Sequence, residues 1–281
     1  MQDHTVTGLI FSKDRAMQLE AVFSSLSLHC RDRQNLQLKV LYTVSGSFHE
    51  DLYHMLSSDY GDVEFIREND FKPQVLSSLE TGAYVLFLVD DAIFVRDFTV
   101  ENVTAGLENN TDALGFSLRL GSNTVYCYSR DIAQKLPEFS EAAGGFLKYD
   151  WSSAEGDFGY PLEISSSVYR IGDILPLLRQ LGFANPNTLE GRMAAHKHIF
   201  MNRGNYLLCS RHSIAFCSPV NMVQNVWPNR AGSNPQYTVD QLGRLFELGY
   251  RINVAKYSGY LPNACHQEVD LIFSNAEGLS R

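Results

Sequence analysis

Asp90 and Asp91 stand side by side between two apolar runs in YVLFLVDDAIFVRDF, residues 84–98. Two carboxylates so placed repel and raise one another's pKa unless a cation lies beside them. Hard divalent ions such as Mg²⁺ and Mn²⁺ prefer oxygen ligands and bridge protein carboxylates to substrate phosphates. The pair therefore predicts a metal–diphosphate site; the plainer alternative has Asp90 capping a turn and Asp91 in solvent. Arg15, in FSKDRAMQ, adds a guanidinium that forks to phosphate or stacks on a base, or else is a solvated arginine at a helix start. Asp70, in RENDF, is a weaker candidate for base or ribose contact, because Asn-Asp is also ordinary turn chemistry.

The elements that must position these residues alternate. TVTGLIF (5–11), LQLKVLYTV (36–44), VEFIR (63–67), residues 84–89 and ALGFSLRL (113–120) read as strands. Between them, residues 16–28 place Leu19, Val22, Phe23 and Leu26 at the spacing of an amphipathic helix. Further helices are expected over 48–58, from near Pro73, and over 100–108. Such alternation implies an α/β fold with parallel strands and helices on both faces. Ligands of open α/β sheets sit at the carboxyl ends of the strands, where Asp90 and Asp91 would stand.

The second half is less regular. Helices are expected near 173–181, 188–200 and 239–248, the last ending at Gly249. With no repeat or linker composition, residues 1–281 read as one domain, a nucleotide-binding half over about 1–122 and an acceptor-binding half over about 123–281. At 44% hydrophobic and 20% charged, the chain has the composition of a soluble enzyme. It contains no apolar run of roughly 20 residues and no signal-peptide start, which predicts a cytoplasmic protein without a transmembrane segment. Five scattered cysteines without a CxxC pair argue against a zinc ribbon or disulfide framework. A formal charge of −9 disfavours nucleic acid or an anionic membrane as partner.

FLVDDAIF, after four alternating units, resembles the aspartate-rich metal motif of nucleotide-sugar glycosyltransferases of the GT-A fold (family-2-like), and LIFSKDRAMQLEAVFSSL is similar to their opening strand, loop and helix. The resemblance covers residues 5 to 120 in order and spacing, and departs from the commonest DxD form in reading Asp-Asp-Ala. It implies a GT-A type open, mostly parallel twisted sheet flanked by helices, a Rossmann-like nucleotide half joined to an acceptor half. It further implies that Phe11, Ser12 and Arg15 line the nucleotide pocket, that Asp90 lies near the ribose, and that Asp91 binds Mn²⁺ or Mg²⁺. The implied donor is a nucleotide-diphosphate sugar, a UDP-sugar first. The implied acceptor is a hydroxyl on a glycan, a lipid-linked glycan, a small molecule or another compound, with nucleic acid disfavoured by charge.

Members of this family commonly add a histidine ligand from the C-terminal region. His196 and His198 point to different faces of one helix and His212 precedes a strand, so His266, in YLPNACHQEV, is the candidate. An inverting transfer needs a carboxylate base within reach of the acceptor hydroxyl. Glu190 is the first choice, opening a helix capped by Asn187, where a capping box would equally place a glutamate at the third position. Asp157 and Glu163 are rivals. Tyr149, Trp151, Phe158 and Tyr160 would suit either a sugar ring or the core. Arg119 is placed to offset diphosphate charge. The competing classes are a nucleotidyltransferase, disfavoured because FSKDRAMQ has no glycine, and a non-catalytic nucleotide-sugar-binding relative.

Overall fold

The computed structural model describes residues 5–224, 226 and 230–275. The first half alternates as expected: β1 (Val6–Lys13), α1 (Ala16–His29), β2 (Leu36–Thr43), α2 (Ser47–Asp59), β3 (Glu64–Arg67), α3 (Phe71–Ser78), β4 (Tyr84–Val89), a short β5 (Ala92–Phe94), α4 (Val100–Asn109) and β6 (Ala113–Ser117). Pro73 lies in the first turn of α3. The second half holds more strand than its glycines and aromatics suggest. It runs β7 (Tyr126–Cys127), β8 (Ile132–Ala133), β9 (Ser140–Ala142), β10 (Phe146–Asp150), β11 (Ser166–Arg170), α5 (Ile171–Gln180), α6 (Pro186–Ala195), β12 (Tyr206–Cys209), β13 (Ala215–Cys217), α7 (Val239–Glu247), β14 (Tyr250–Ile252) and β15 (Phe273–Asn275). Gly249 follows α7 at φ +84°, a left-handed conformation that glycine adopts without a Cβ penalty.

Nine strands form one sheet in the order β3-β2-β1-β4-β11-β6-β12-β10-β9. β1 to β4 are parallel, β11 is antiparallel to β4 and β6, β12 is parallel to β6, and β10 is antiparallel to β12 and β9. All but β10 and β11 therefore run in one direction, which is the mostly parallel sheet expected. Both halves of the chain share it, because β11 inserts between β4 and β6.

Alternate residues of the central strands feed two cores on opposite faces, as strand geometry requires. Val6 and Ile10 of β1, with Leu86 and Leu88 of β4, pack on the face carrying α1. Leu9, Phe11, Val85 and Phe87 pack on the face carrying α5. Helix α1 is not the half-exposed amphipathic helix its spacing suggests: Gln18, Glu20 and Ser25 are buried along with its apolar residues. Helix α7 and the β14 segment cover its outer side. No helix among the described residues is long and apolar enough to cross a membrane.

Candidate active site

A cleft of about 660 Å³ opens at the carboxyl ends of β1, β2 and β4. Phe11, Ser12, Arg15, Asp90 and Asp91 line it from the first half, and Arg119, Asp157, Glu190 and His266 from the second. Asp70 is outside the lining; it is exposed and stands at the N-cap position of α3. Residues up to 255 positions apart in sequence thus meet because the strands end together.

The two aspartates are not equivalent. Asp90 is buried and satisfied: Oδ1 accepts from Arg15 Nη1 at 2.9 Å, and Oδ2 accepts from Ser12 Oγ and the Lys13 N–H, both at 3.0 Å. Ser12 also pairs with the Tyr53 hydroxyl. Asp91 Oδ2 receives only a longer contact from Arg15 Nη1, 3.4 Å. Its Oδ1 is buried and meets no donor in good hydrogen-bond geometry among the described residues, although the Cys217 thiol, acting as a weak donor to the carboxylate, helps hold its pKa down. Burial pushes the Asp91 pKa up, Arg15 opposes this, and Asp90 adds to it.

Arg15 differs from its expected role as a phosphate fork. Its Nη1 holds the aspartate pair, while Nε donates to Asn221 Oδ1 at 2.8 Å and Nη2 to the Asn221 carbonyl. A buried guanidinium needs such partners to offset its desolvation. Arg15 therefore ties the start of α1 to both aspartates and to the 221 loop. Asp90, with both oxygens accepting hydrogen bonds, is the fixed centre of this network.

Arg119 is the second charge centre. It is buried, with Nε 3.6 Å from Glu163 Oε1. Glu163 is buried and held by the N–H groups of Ser165 and Ser166 and by the Ser167 hydroxyl. It is the counter-ion of Arg119 and not part of the cleft lining, which removes it as a rival base. Asp157 does line the cleft, with Oδ2 unpartnered and its pKa pushed up by burial against the pull of Arg119.

Glu190 sits on α6, but not where its sequence suggests. The helix begins at Pro186 with Asn185 as N-cap. Thr188 N–H donates to Asn185 Oδ1 at 2.9 Å, and Thr188 Oγ1 accepts from the Asn185 N–H at 3.1 Å, completing the box without glutamate. The expected Asn187 cap is thus displaced by two residues, because Asn185-Pro186 supplies both a cap and a proline at the first helical position. Glu190 lies a turn into the helix, free of any capping duty, and Oε1 accepts from the Ile164 N–H at 3.2 Å. Burial pushes its pKa up to about 7; Glu163 adds to the rise, while Arg119 and the Ile164 N–H oppose it. The residue is partly exposed on its cleft side, yet desolvation by the enclosing walls dominates.

His266 reaches the cleft through a bridge between its backbone and Cys217. Burial, assisted by Arg119, holds its pKa down to about 3, so the imidazole is neutral and able to ligate a metal. Among the described residues no cluster of three or more His, Cys, Asp or Glu side chains forms a complete metal cage. A carboxylate and a neutral imidazole are the donor types a divalent cation takes, and its remaining ligands would have to come from a substrate such as a diphosphate. Of the four loop aromatics, Tyr149, Trp151 and Phe158 belong to the core, at 1%, 1% and 0% exposure. Tyr160 alone lines the cleft.

Sequence reasoning missed Asn221, which carries no motif, and Glu68, which the carboxyl-end rule reaches. In RENDF the residue directly after β3 is Glu68, and this carboxylate lines the cleft where Asp70 does not.

No family model matches the chain. It is 27% identical over 290 residues to the bifunctional glycosyltransferase pgtA of Dictyostelium discoideum, an alignment covering 91% of this chain. The chain is similar to a glycosyltransferase. That likeness supports the resemblance carried by the opening strand and the aspartate pair, and the chain spans 37% of the relative's length. Among solved structures, a fragment of TarS from S. aureus in complex with UDP gives a TM-score of 0.49 at 14% identity, over 76% of this chain and 61% of that one. Glucosyl-3-phosphoglycerate synthase from Mycobacterium tuberculosis, in complex with Mn²⁺, UDP-glucose and phosphoglyceric acid, gives 0.42 at 12% identity, over 70% and 66%.

Proposed function

We propose that the chain is a metal-dependent, inverting glycosyltransferase that moves a sugar from a nucleoside-diphosphate sugar to an acceptor hydroxyl. The observation that carries this reading is one cleft lined by Asp91 and the neutral His266 together with Glu190, whose pKa burial pushes up to about 7. Asp91 and His266 would hold Mn²⁺ or Mg²⁺, which when bound supplies Lewis-acid stabilisation of the departing diphosphate. Phe11 and Ser12 floor the donor side. Asp90, Arg15 and Asn221 keep Asp91 oriented, and Arg119 contributes a buried positive charge to the field of the cleft. Ionised Glu190 accepts the proton of the acceptor hydroxyl as its oxygen attacks the anomeric carbon, in a single displacement that inverts configuration. Asp157 remains the alternative base. The acceptor is a hydroxyl of a glycan, lipid-linked glycan or small molecule, and the two halves act around it as one domain. All five cysteines are buried and unpaired, which supports a reducing, cytoplasmic setting.

The test is a donor assay with UDP- and GDP-sugars, following nucleoside-diphosphate release with Mn²⁺ or with EDTA. The expected result is Mn²⁺-dependent release that is lost in Asp91→Ala and in Glu190→Gln. Release unaffected by either substitution would overturn the assignment. Nucleotide binding by the wild type without any turnover would favour a non-catalytic relative.

A further inference from the structure

Beyond the aspartate pair, the cleft runs over the carboxyl ends of β1, β2 and β3. Phe11 and Leu41 present apolar walls there, and Lys13 and Glu68 bring one cation and one carboxylate. Glu68 directly follows β3, and its N–H donates to the Tyr42 carbonyl at 2.7 Å, so the sheet fixes its position. Its carboxylate takes no hydrogen bond or ion pair from the described residues, and Lys13 is the positive group whose field reaches it. A half-buried carboxylate left without partners is costly, and a ligand bearing N–H donors relieves that cost.

We propose that Glu68, with Lys13, reads a guanine base, so that the donor is a guanosine-diphosphate sugar and not the UDP-sugar expected from the sequence. This inference rests on the nucleotide-sugar reading above. Guanine presents a carbonyl acceptor and two N–H donors in a row along one edge. A carboxylate accepts both donors as a parallel pair, and a lysine ammonium donates to the carbonyl. Uracil offers acceptor, donor, acceptor, which turns its second carbonyl against a carboxylate oxygen. Cytosine offers donor, acceptor, acceptor and sets a ring-nitrogen lone pair there. Adenine likewise follows its amino group with an acceptor. Guanine is the base whose one edge engages both carboxylate oxygens and the ammonium together. A site built to hydrogen-bond a particular edge rejects the edge that leaves its buried groups unpaired.

Calorimetric titration of the whole chain with GDP, IDP, UDP and CDP in Mn²⁺ tests this. GDP is expected to bind about 10- to 100-fold more tightly than UDP or CDP, the range of one or two charge-assisted hydrogen bonds. IDP, which lacks only the 2-amino group, is expected to bind about tenfold more weakly than GDP in the unaltered protein. Glu68→Gln should bring GDP and UDP to similar affinity, while Asp91→Ala should weaken all four alike. UDP or CDP binding more tightly than GDP, IDP equalling GDP, or a preference unchanged in folded Glu68→Gln would each overturn the guanine assignment. These results leave the nucleotide-sugar reading standing. Failure of all four to bind overturns that reading, and the inference with it.

Discussion

Burial pushes the Glu190 carboxyl up to about 7, so its charge changes across neutral pH. In the proposed mechanism its ionised form is the base, and kcat/KM is expected to rise as pH increases through about 7, measured by nucleoside-diphosphate release. Glu190→Gln should lower kcat by about 10²- to 10⁴-fold with little change in donor affinity. The same residue predicts an opposite effect on stability. Its folded pKa lies above its unfolded value of about 4.3, so the stabilisation is complete below that value and is lost as pH rises through about 7. Glu190→Gln should therefore be more stable than wild type at pH 8, by at most about 3–4 kcal/mol and less to the extent that solvent in the cleft screens the charge, and gain nothing at pH 4, as denaturant midpoints will reveal. A role in capping would predict the reverse, a loss of stability with turnover spared. The sequence made Asp90, Asp91 and Glu190 visible through residue type and place. It did not reveal that Arg15 is consumed by partners, because satisfaction of a donor depends on Asn221, 206 positions away.

At the scale of elements, β1 to β4 and β6 were legible because their apolar runs alternate with helices, whereas the three-residue β5, paired with β13, was not among the expected strands. Strands β10 and β11 were not: FLKYD sits among glycines, and SSVYR is short and polar at its start. What makes them strands is pairing with β12 and with β4 and β6, a long-range fact that local pattern does not encode. The centre of that pairing is tight at Gly115. A Cβ there would stand 2.7 Å from the Tyr169 ring and 2.9 Å from the Val168 carbonyl, a backbone atom that cannot swing away. Gly115→Ala is expected to cost about 1–3 kcal/mol by overpacking. Since Gly115 does not line the cleft, nucleotide affinity in the folded variant should be unchanged. A thermal melt and a GDP titration on one preparation check both halves of that expectation; a variant as stable as wild type would mean that β6 and β11 yield more readily than this geometry allows.

For the whole molecule, the cleft joins parts that the chain keeps far apart, and a ligand bridging them should stabilise the entire fold. Asp91 and Arg15 belong to the strand ends of the first half, whereas Glu190, Asp157 and His266 arrive on a helix and loops of the second. Both halves share the sheet through β11, so local loosening at the cleft is coupled to both cores. A nucleoside diphosphate at a hundredfold excess over its dissociation constant stabilises the native state by about 2.7 kcal/mol. For a chain of this size that corresponds to a melting shift on the order of 5–10 °C. The diphosphate carries like charge to Asp90 and Asp91, and the cation that pairs with both among the described residues, Arg15, is already engaged. Nucleotide without a divalent cation should therefore shift the melt little, and Mn²⁺ should restore the shift. In Asp91→Ala the repulsion is smaller but the cation site is gone, so Mn²⁺ should add nothing. A full shift in EDTA would show that Arg119 and Lys13 neutralise the diphosphate on their own, making the cation dispensable for binding.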